Sequence, residues 1–167
     1  MNLRIVKTLS VLAFGLGLAA CSSVSLDDSA TGAGTGMAGG ASGQGVMDPF
    51  NPNSVLSTNR SVYFDFNSYT VSDQYGNVIR NHAQYLTSSP NQKIIIEGNT
   101  DARGGTEYNL ALGNRRAEAV RRNLTLLGAQ DMQIETISFG KEKPKALGDT
   151  EADYAENRRA DIVYLRP

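Results

Sequence analysis

Asp101 and Arg116 are the two side chains whose types and spacing suggest chemistry. Asp101 lies in a polar loop, Asn99 to Gly105, directly after the apolar run Lys93 to Gly98. Loops at strand ends commonly carry binding groups. Asn109, Leu112 and Arg116 follow at spacings i, i+3 and i+7 within a helical stretch. Seven residues at about 100° each return to within about 20° of the start, so these three side chains share one face. One fixed anion and one fixed cation beside a small apolar surface suit a ligand that is both ammonium and carboxylate. Arginine holds a carboxylate through two parallel hydrogen bonds, and aspartate accepts from an ammonium. The same spacing fits a bland alternative equally well, a helix-to-loop surface salt bridge contributing about 0–1 kcal/mol.

Other chemistries fare worse. His82 is the only histidine and sits in a helical stretch with no catalytic neighbour nearby, which reads as a structural residue. Cys21 is the only cysteine, so the Cys/His set of a zinc site is missing. Cleavage of a glycan by paired carboxylates would need two acids flanking the sugar. Asp65 and Asp101 are the candidates, but Arg116 would keep both ionised, whereas a general acid must stay protonated. The expectation is a binding protein that is not an enzyme and takes no cofactor and no metal. Gly34-Thr35-Gly36-Met37-Ala38-Gly39 matches G-x-G-x-x-G, but neither the strand before it nor the helix after it is there, so no dinucleotide site follows.

The elements that must position these residues can be read from periodicity. Ser61 to Phe66 is rich in aromatic and β-branched residues and reads as a strand. Ser72 can cap a helix to about Thr87, which Ser89-Pro90-Asn91 breaks. Lys93 to Gly98 fits a buried central strand. Thr106 is placed to cap a helix to about Leu127, with Leu110, Ala117, Val120, Leu124 and Leu127 as its core stripe and Gly128 ending it. The site face, Asn109-Leu112-Arg116, is then about one residue's rotation from that stripe. Met132 to Phe139 reads as a third strand, Glu151 to Asn157 as a short helix and Arg159 to Leu165 as the last strand. The order β-α-β-α-β-(α)-β predicts an α/β (α+β) two-layer sandwich, with helices packed on a mixed four-stranded sheet.

The N-terminal third has another texture. Arg4 and Lys7 precede an apolar run from Leu9 to Leu18, then Ala19, Ala20 and Cys21. That is the layout of an export signal over residues 1–20, and the run is too short for a spanning helix, which needs roughly 20 residues. Residues 21–57, rich in Gly, Ser and Ala, read as a flexible linker whose root-mean-square span is roughly 30–35 Å. Residues 58–167 form the one domain. Without residues 1–20 the chain has 14 basic and 17 acidic side chains, which gives no basic face for nucleic acid.

Several motifs in order carry a resemblance. They are Leu18-Ala19-Ala20-Cys21, Tyr63-Phe64-Asp65-Phe66, Glu97 to Asp101, Glu107-Tyr108-Asn109, Leu112-Gly113 with Arg115-Arg116-Ala117, Ser138 to Pro144, and Asn157 to Ala160. The first resembles a bacterial lipobox, which implies a lipidated Cys21 as the mature first residue, with Ser22 favouring the outer membrane. The rest resemble the OmpA-like peptidoglycan-binding domain family, and within it the lipoproteins of the Tol–Pal system. The resemblance implies non-covalent binding of the meso-diaminopimelate stem peptide of peptidoglycan, with Asp101 and Arg116 holding the zwitterion. Thr100 and Asn109 would add hydrogen bonds. Phe64, Asp65 and Leu112 would line the pocket, and Arg159 would reach its edge. It implies outer-membrane lipid, peptidoglycan, TolB and the Tol inner-membrane complex as partners, and a periplasm-facing domain acting in envelope integrity and division. The other reading left open is a module chiefly for binding TolB and other envelope proteins. Asn99 stands where many relatives have histidine, and Ala102 and Gly105 depart from common loop residues.

Overall fold

The computed structural model describes residues 47–166. The expected signal peptide, the lipidation at Cys21 and most of the linker lie outside these residues. The elements run α1 (Val55–Thr58), β1 (Ser61–Tyr63), α2 (Gly76–Ser88, entered through a 3-10 turn at Asp73–Tyr75), β2 (Ile94–Asn99), α3 (Thr106–Leu126), β3 (Ile134–Gly140), α4 (Glu151–Asn157) and β4 (Arg159–Tyr164). The strands form one sheet in the order β1-β4-β2-β3. β2 and β3 are parallel, and β4 runs antiparallel to both β1 and β2. The expected mixed sheet with helices packed on it is what the chain forms. No helix among the described residues is long and apolar enough to cross a membrane.

Alternation sorts the strands into two faces. Val62, Ile94, Ile96, Ala160, Ile162 and Tyr164 point to the helix side and join Ala83, Leu86, Ala117, Val120 and Leu124 in a single core. The other face carries polar groups: Asp161 accepts from Ser61 Oγ (2.6 Å) and Arg159 Nε (2.9 Å), and Glu97 pairs with Lys143. Helix α3 lies against β2 because glycine meets glycine there. A Cβ on Gly98 would collide with the Gly113 carbonyl, and one on Gly113 would collide with Ser138. Two small residues thus set how closely the helix approaches the strand.

Four expectations change in detail. Residues 47–57 read as linker, yet Ser54 and Leu56 are buried and α1 packs on α2. A composition average hides one well-placed leucine. The first strand stops at Tyr63 rather than Phe66, because the chain turns at Asp65–Ser68, where Ser68 N–H donates to the Asp65 carbonyl (3.1 Å). Thr106 is the first residue inside α3, and the cap position is Gly105, whose extended backbone supplies no side-chain bond. Leu110 and Leu127 are half-exposed, so the buried stripe of α3 is Asn109, Leu112, Gly113, Arg116, Ala117, Ala119, Val120 and Leu124. The proposed site face and the core face are therefore one continuous stripe, apolar toward the C-terminus and polar at the first turns. Gly128 ends the helix as expected. Its φ is +101°, and the bonds Gly128 N–H to Thr125 O and Ala129 N–H to Leu124 O close a Schellman turn.

Candidate functional site

The site forms where β2 ends and α3 begins. Asn99 ends β2, Thr100 and Asp101 leave the sheet while remaining buried, and Thr100 N–H donates to the Gly140 carbonyl of β3 (2.8 Å). A cavity of about 140 Å³ opens there, lined by Phe66, Asn67, Thr100, Asp101, Arg103, Gly104, Tyr108, Asn109, Leu112 and Arg116. Thr100, Asp101, Asn109, Leu112 and Arg116, all singled out from the sequence, thus meet at one concave surface.

Arg116 is fully buried. Its guanidinium donates to three backbone carbonyls: Asn99 (2.8 Å, from Nη1), Ser68 (2.8 Å, from Nε) and Asp65 (3.2 Å, from Nη2). It also lies 5.2 Å from the centre of the Phe64 ring. Among the described residues no carboxylate comes within ion-pair range of it. Burial lowers its pKa to about 10, against the upward pull of the Asp101 charge, so it stays protonated at neutral pH. A guanidinium has five N–H groups, so this one keeps donors to spare.

Asp101 is also buried, and it is not paired with Arg116. Its Oδ2 accepts from Arg103 Nη2 (2.7 Å) and, at 3.4 Å, from Arg158 Nη1, while Oδ1 accepts from the Arg103 backbone N–H (3.2 Å). Burial raises its pKa, but the hydrogen bonds and charge of Arg103, with help from Arg158, outweigh that and hold it below the ordinary carboxylate value. Glu151 of α4 ties the two arginines together, at 3.1 Å from Arg103 and 2.8 Å from Arg158. Arg158 also donates to the Phe64 carbonyl (3.1 Å). Asn109 Nδ2 donates to the Arg103 carbonyl (2.9 Å) and fixes the loop onto α3. The cavity therefore presents an ionised carboxylate and a buried guanidinium that accept and donate independently. Both charges line one cavity, each held by its own protein partners rather than closed into one salt bridge.

Three of the eight expected site residues do not line the cavity. Phe64 is buried in the core beneath Arg116. Asp65 contributes its carbonyl to Arg116, while its exposed carboxylate borders a separate groove with Tyr63, Gln74 and Tyr75. Arg159 is buried on the far face of the sheet, donating to Asp161 and to the Lys143 carbonyl (3.3 Å). One strand residue later in the alternation, a side chain emerges on the other face, and Arg159 falls on the wrong one. Phe66, Asn67, Arg103, Gly104 and Tyr108 were not singled out. Tyr108 carried a signal, because it sits one helical turn before Leu112 and two before Arg116. Arg103 shares the Asp101 loop, and its guanidinium is stacked between the Phe66 and Tyr154 rings, 4.3 Å from each centre. His82 has the structural role expected of it: it is buried far from the cavity and bridges Tyr164 Oη (2.7 Å) and the Asn59 carbonyl (2.8 Å).

The OmpA family model matches residues 63–158. The peptidoglycan-associated lipoprotein of Pasteurella multocida is 41% identical over 161 residues, covering 96% of this chain and 99% of that protein. That of Haemophilus influenzae is 40% identical over 164 residues, with the same coverage of both. The crystal structure of the peptidoglycan-associated lipoprotein from Burkholderia pseudomallei superimposes with a TM-score of 0.68 at 62% identity, over 70% of this chain and 98% of that one. The C-terminal domain of Helicobacter pylori MotB shares the fold at 21% identity, with a TM-score of 0.59 over 64% of this chain and 84% of that one. Matched along almost its whole length at about 40% identity, the chain belongs to the OmpA family and, within it, to the peptidoglycan-associated lipoproteins.

Proposed function

We propose that this domain grips peptidoglycan without cutting it, by taking the zwitterionic end of a meso-diaminopimelate side chain into the cavity between Asp101 and Arg116. The observation that carries the reading is the buried guanidinium of Arg116, which has no carboxylate partner among the described residues and faces the same cavity as Asp101. A buried charge without a counter-ion is costly, and a ligand carboxylate would relieve it. The ligand ammonium would be accepted by Asp101, whose oxygens have lone pairs left after Arg103 and Arg158. Thr100 and Asn109 supply polar atoms at the wall, and Leu112 packs on the methylene chain. Asp101 is held ionised and so is unsuited to act as a general acid, in keeping with binding rather than hydrolysis.

The rest of the proposal concerns the whole chain. Lipid on Cys21 would hold it in the outer membrane, residues 22–46 would bridge to the wall, and the domain would face the periplasm. TolB and the Tol inner-membrane complex would be its protein partners in envelope integrity and constriction.

Co-sedimentation tests the site. The protein should pellet with diaminopimelate-type peptidoglycan and stay in solution with lysine-type wall. Asp101→Ala and Arg116→Ala should each abolish pelleting, with circular dichroism reporting the fold. Undiminished pelleting of both variants would reject the site. A pull-down with TolB, with and without soluble wall fragments, tests whether protein and wall compete for the domain.

A further inference from the structure

Two aromatic side chains stand exposed together at the cavity mouth. Phe66 is 61% exposed and Tyr108 50% exposed, and both line the cavity. They are held there by specific contacts. Asn67 has φ +54°, and it is the sole non-glycine with positive φ among the described residues. It lies in the turn at Asp65–Ser68 that follows the end of β1 at Tyr63, and Phe66 is part of that turn. The Tyr108 hydroxyl donates to Asn67 Oδ1. Phe66 stacks on the Arg103 guanidinium, itself anchored by Asp101 (2.7 Å) and Glu151 (3.1 Å). An unusual backbone conformation that holds an aromatic ring in water points to use of that ring.

We infer that Phe66 and Tyr108 form a stacking rim for the amino sugar of the glycan strand, beside the cavity that takes the peptide. The inference rests on the reading of that cavity as the stem-peptide site. A wall stem peptide is covalently joined to a muramic acid through a lactyl group and two amino acids before the diaminopimelate. Extended residues span at most about 3.6 Å each, so the sugar lies on the order of 10 Å from the cavity. The rim at the cavity mouth therefore lies within the reach of that sugar. The apolar C–H face of a pyranose is attracted to the negative face of an aromatic ring. Its hydroxyl and acetamido groups would find Asn67 and the Tyr108 hydroxyl beside the rings. A protein partner would have no such covalent reason to land there.

Isothermal titration of the full chain in detergent compares two soluble probes. One is the tripeptide L-Ala-γ-D-Glu-meso-diaminopimelate, and the other is the same tripeptide on its N-acetylglucosaminyl-N-acetylmuramyl disaccharide. The sugar-bearing probe should bind about fivefold tighter, the scale of one aromatic contact. The readout is that ratio within each variant. It should fall to about one in Phe66→Ala and in Tyr108→Ala, and return in Phe66→Trp, by loss and restoration of the same contact. A ratio near one in the unaltered protein, with the tripeptide still bound, overturns the rim and leaves the cavity reading standing. A ratio that survives both alanine variants overturns it too, as does a rim that matters only for TolB capture. If the tripeptide itself fails to bind, the cavity reading falls and takes the rim with it.

Discussion

The two ends of the sheet both bury polar groups, and they do so in opposite ways. At one end, beside the start of β2 and the end of β4, His82 bridges Tyr164 and Asn59, and Gln133 Nε2 donates to the Leu86, Ser89 and Gln92 carbonyls at 3.0, 2.9 and 3.1 Å. These groups are neutral. Burial lowers the His82 pKa to about 4, and burial likewise raises the Tyr164 phenol well above its usual value. At the other end the buried groups are ionised: Asp101 and Arg116 line a cavity, and Arg116 lacks a carboxylate partner among the described residues. Protein groups complete the first network. The second is left open toward a space that a ligand could fill. Buried polarity is thus closed off by protein partners at one end and left open at the other, where the proposed function has a ligand meet the charge beside the cavity.

The strongest test of that contrast is Arg116→Met. It leaves three backbone carbonyls without their donor, so the free energy of unfolding should fall by about 3–5 kcal/mol. Wall binding should fall by at least about a hundredfold, as expected on truncating one partner of a desolvated charge contact. Urea titration and co-sedimentation report the two effects. If binding persisted, the open charge would have no recognition role and the contrast would be broken.

At the closed end, stability and binding should separate. His82→Phe leaves the Tyr164 hydroxyl and the Asn59 carbonyl unpartnered, at a cost of about 2–3 kcal/mol, with binding unchanged. The histidine also predicts a pH profile. Its folded pKa, about 4, lies below the ordinary 6.5, so the unfolded chain takes up the proton first. Its contribution is full above pH 6.5 and is lost as pH falls toward 4, roughly 3 kcal/mol in all. Asp101, also depressed, adds a further loss at still lower pH. Urea midpoints measured between pH 7.5 and 4 should decline in the native protein and stay nearly level in His82→Phe.

The closed end and the sheet were far more legible in the sequence than the open end. Ile94-Ile95-Ile96 announces a central strand, and Ala160-Ile162-Tyr164 shows its alternation locally, as does the spacing of Ala117, Val120 and Leu124 on α3. Asp101 and Arg116 could be paired because their spacing projects them toward the same strand end. Their actual partners could not be read. Arg116 is held by carbonyls 17, 48 and 51 residues away, and Asp101 by Arg103 of its own loop and by an arginine 57 residues away. Backbone acceptors leave no mark in residue type. Phe66 escaped for a similar reason: Tyr63-Phe64-Asp65-Phe66 has strand composition, yet β1 ends at Tyr63 and Phe66 falls in the turn that contains the left-handed Asn67.

Gly98→Ala examines the spacing between the two ends. A side chain there would force α3 off β2 against the Gly113 carbonyl. Overpacking of this kind costs about 2 kcal/mol. Arg116 lies one turn beyond Gly113, so the shift would also move the cation relative to Asp101, and affinity should drop about tenfold, equivalent to about 1.4 kcal/mol. A destabilised variant with native affinity would show that the cavity tolerates movement of the helix.

The smallest effect on stability should come from Asp101→Asn, and it sharpens the comparison most. The amide keeps the size of the carboxylate and one oxygen acceptor for Arg103 Nη2, and Glu151 still faces both Arg103 and Arg158. Unfolding should therefore change by only about 1 kcal/mol, the scale of a charge-assisted hydrogen bond weakened to a neutral one. A ligand ammonium, however, would meet a neutral amide between two arginines and a buried third, so the site would repel it. Affinity for the diaminopimelate tripeptide should fall well over tenfold, more than 1.4 kcal/mol, measured by the same titration. At the His82 end the cost of a substitution is to the fold with binding untouched, and here the order reverses. Equal and small losses in both quantities would mean that Asp101 is only a clasp for Arg103 and Arg158, and that its charge is spent within the protein.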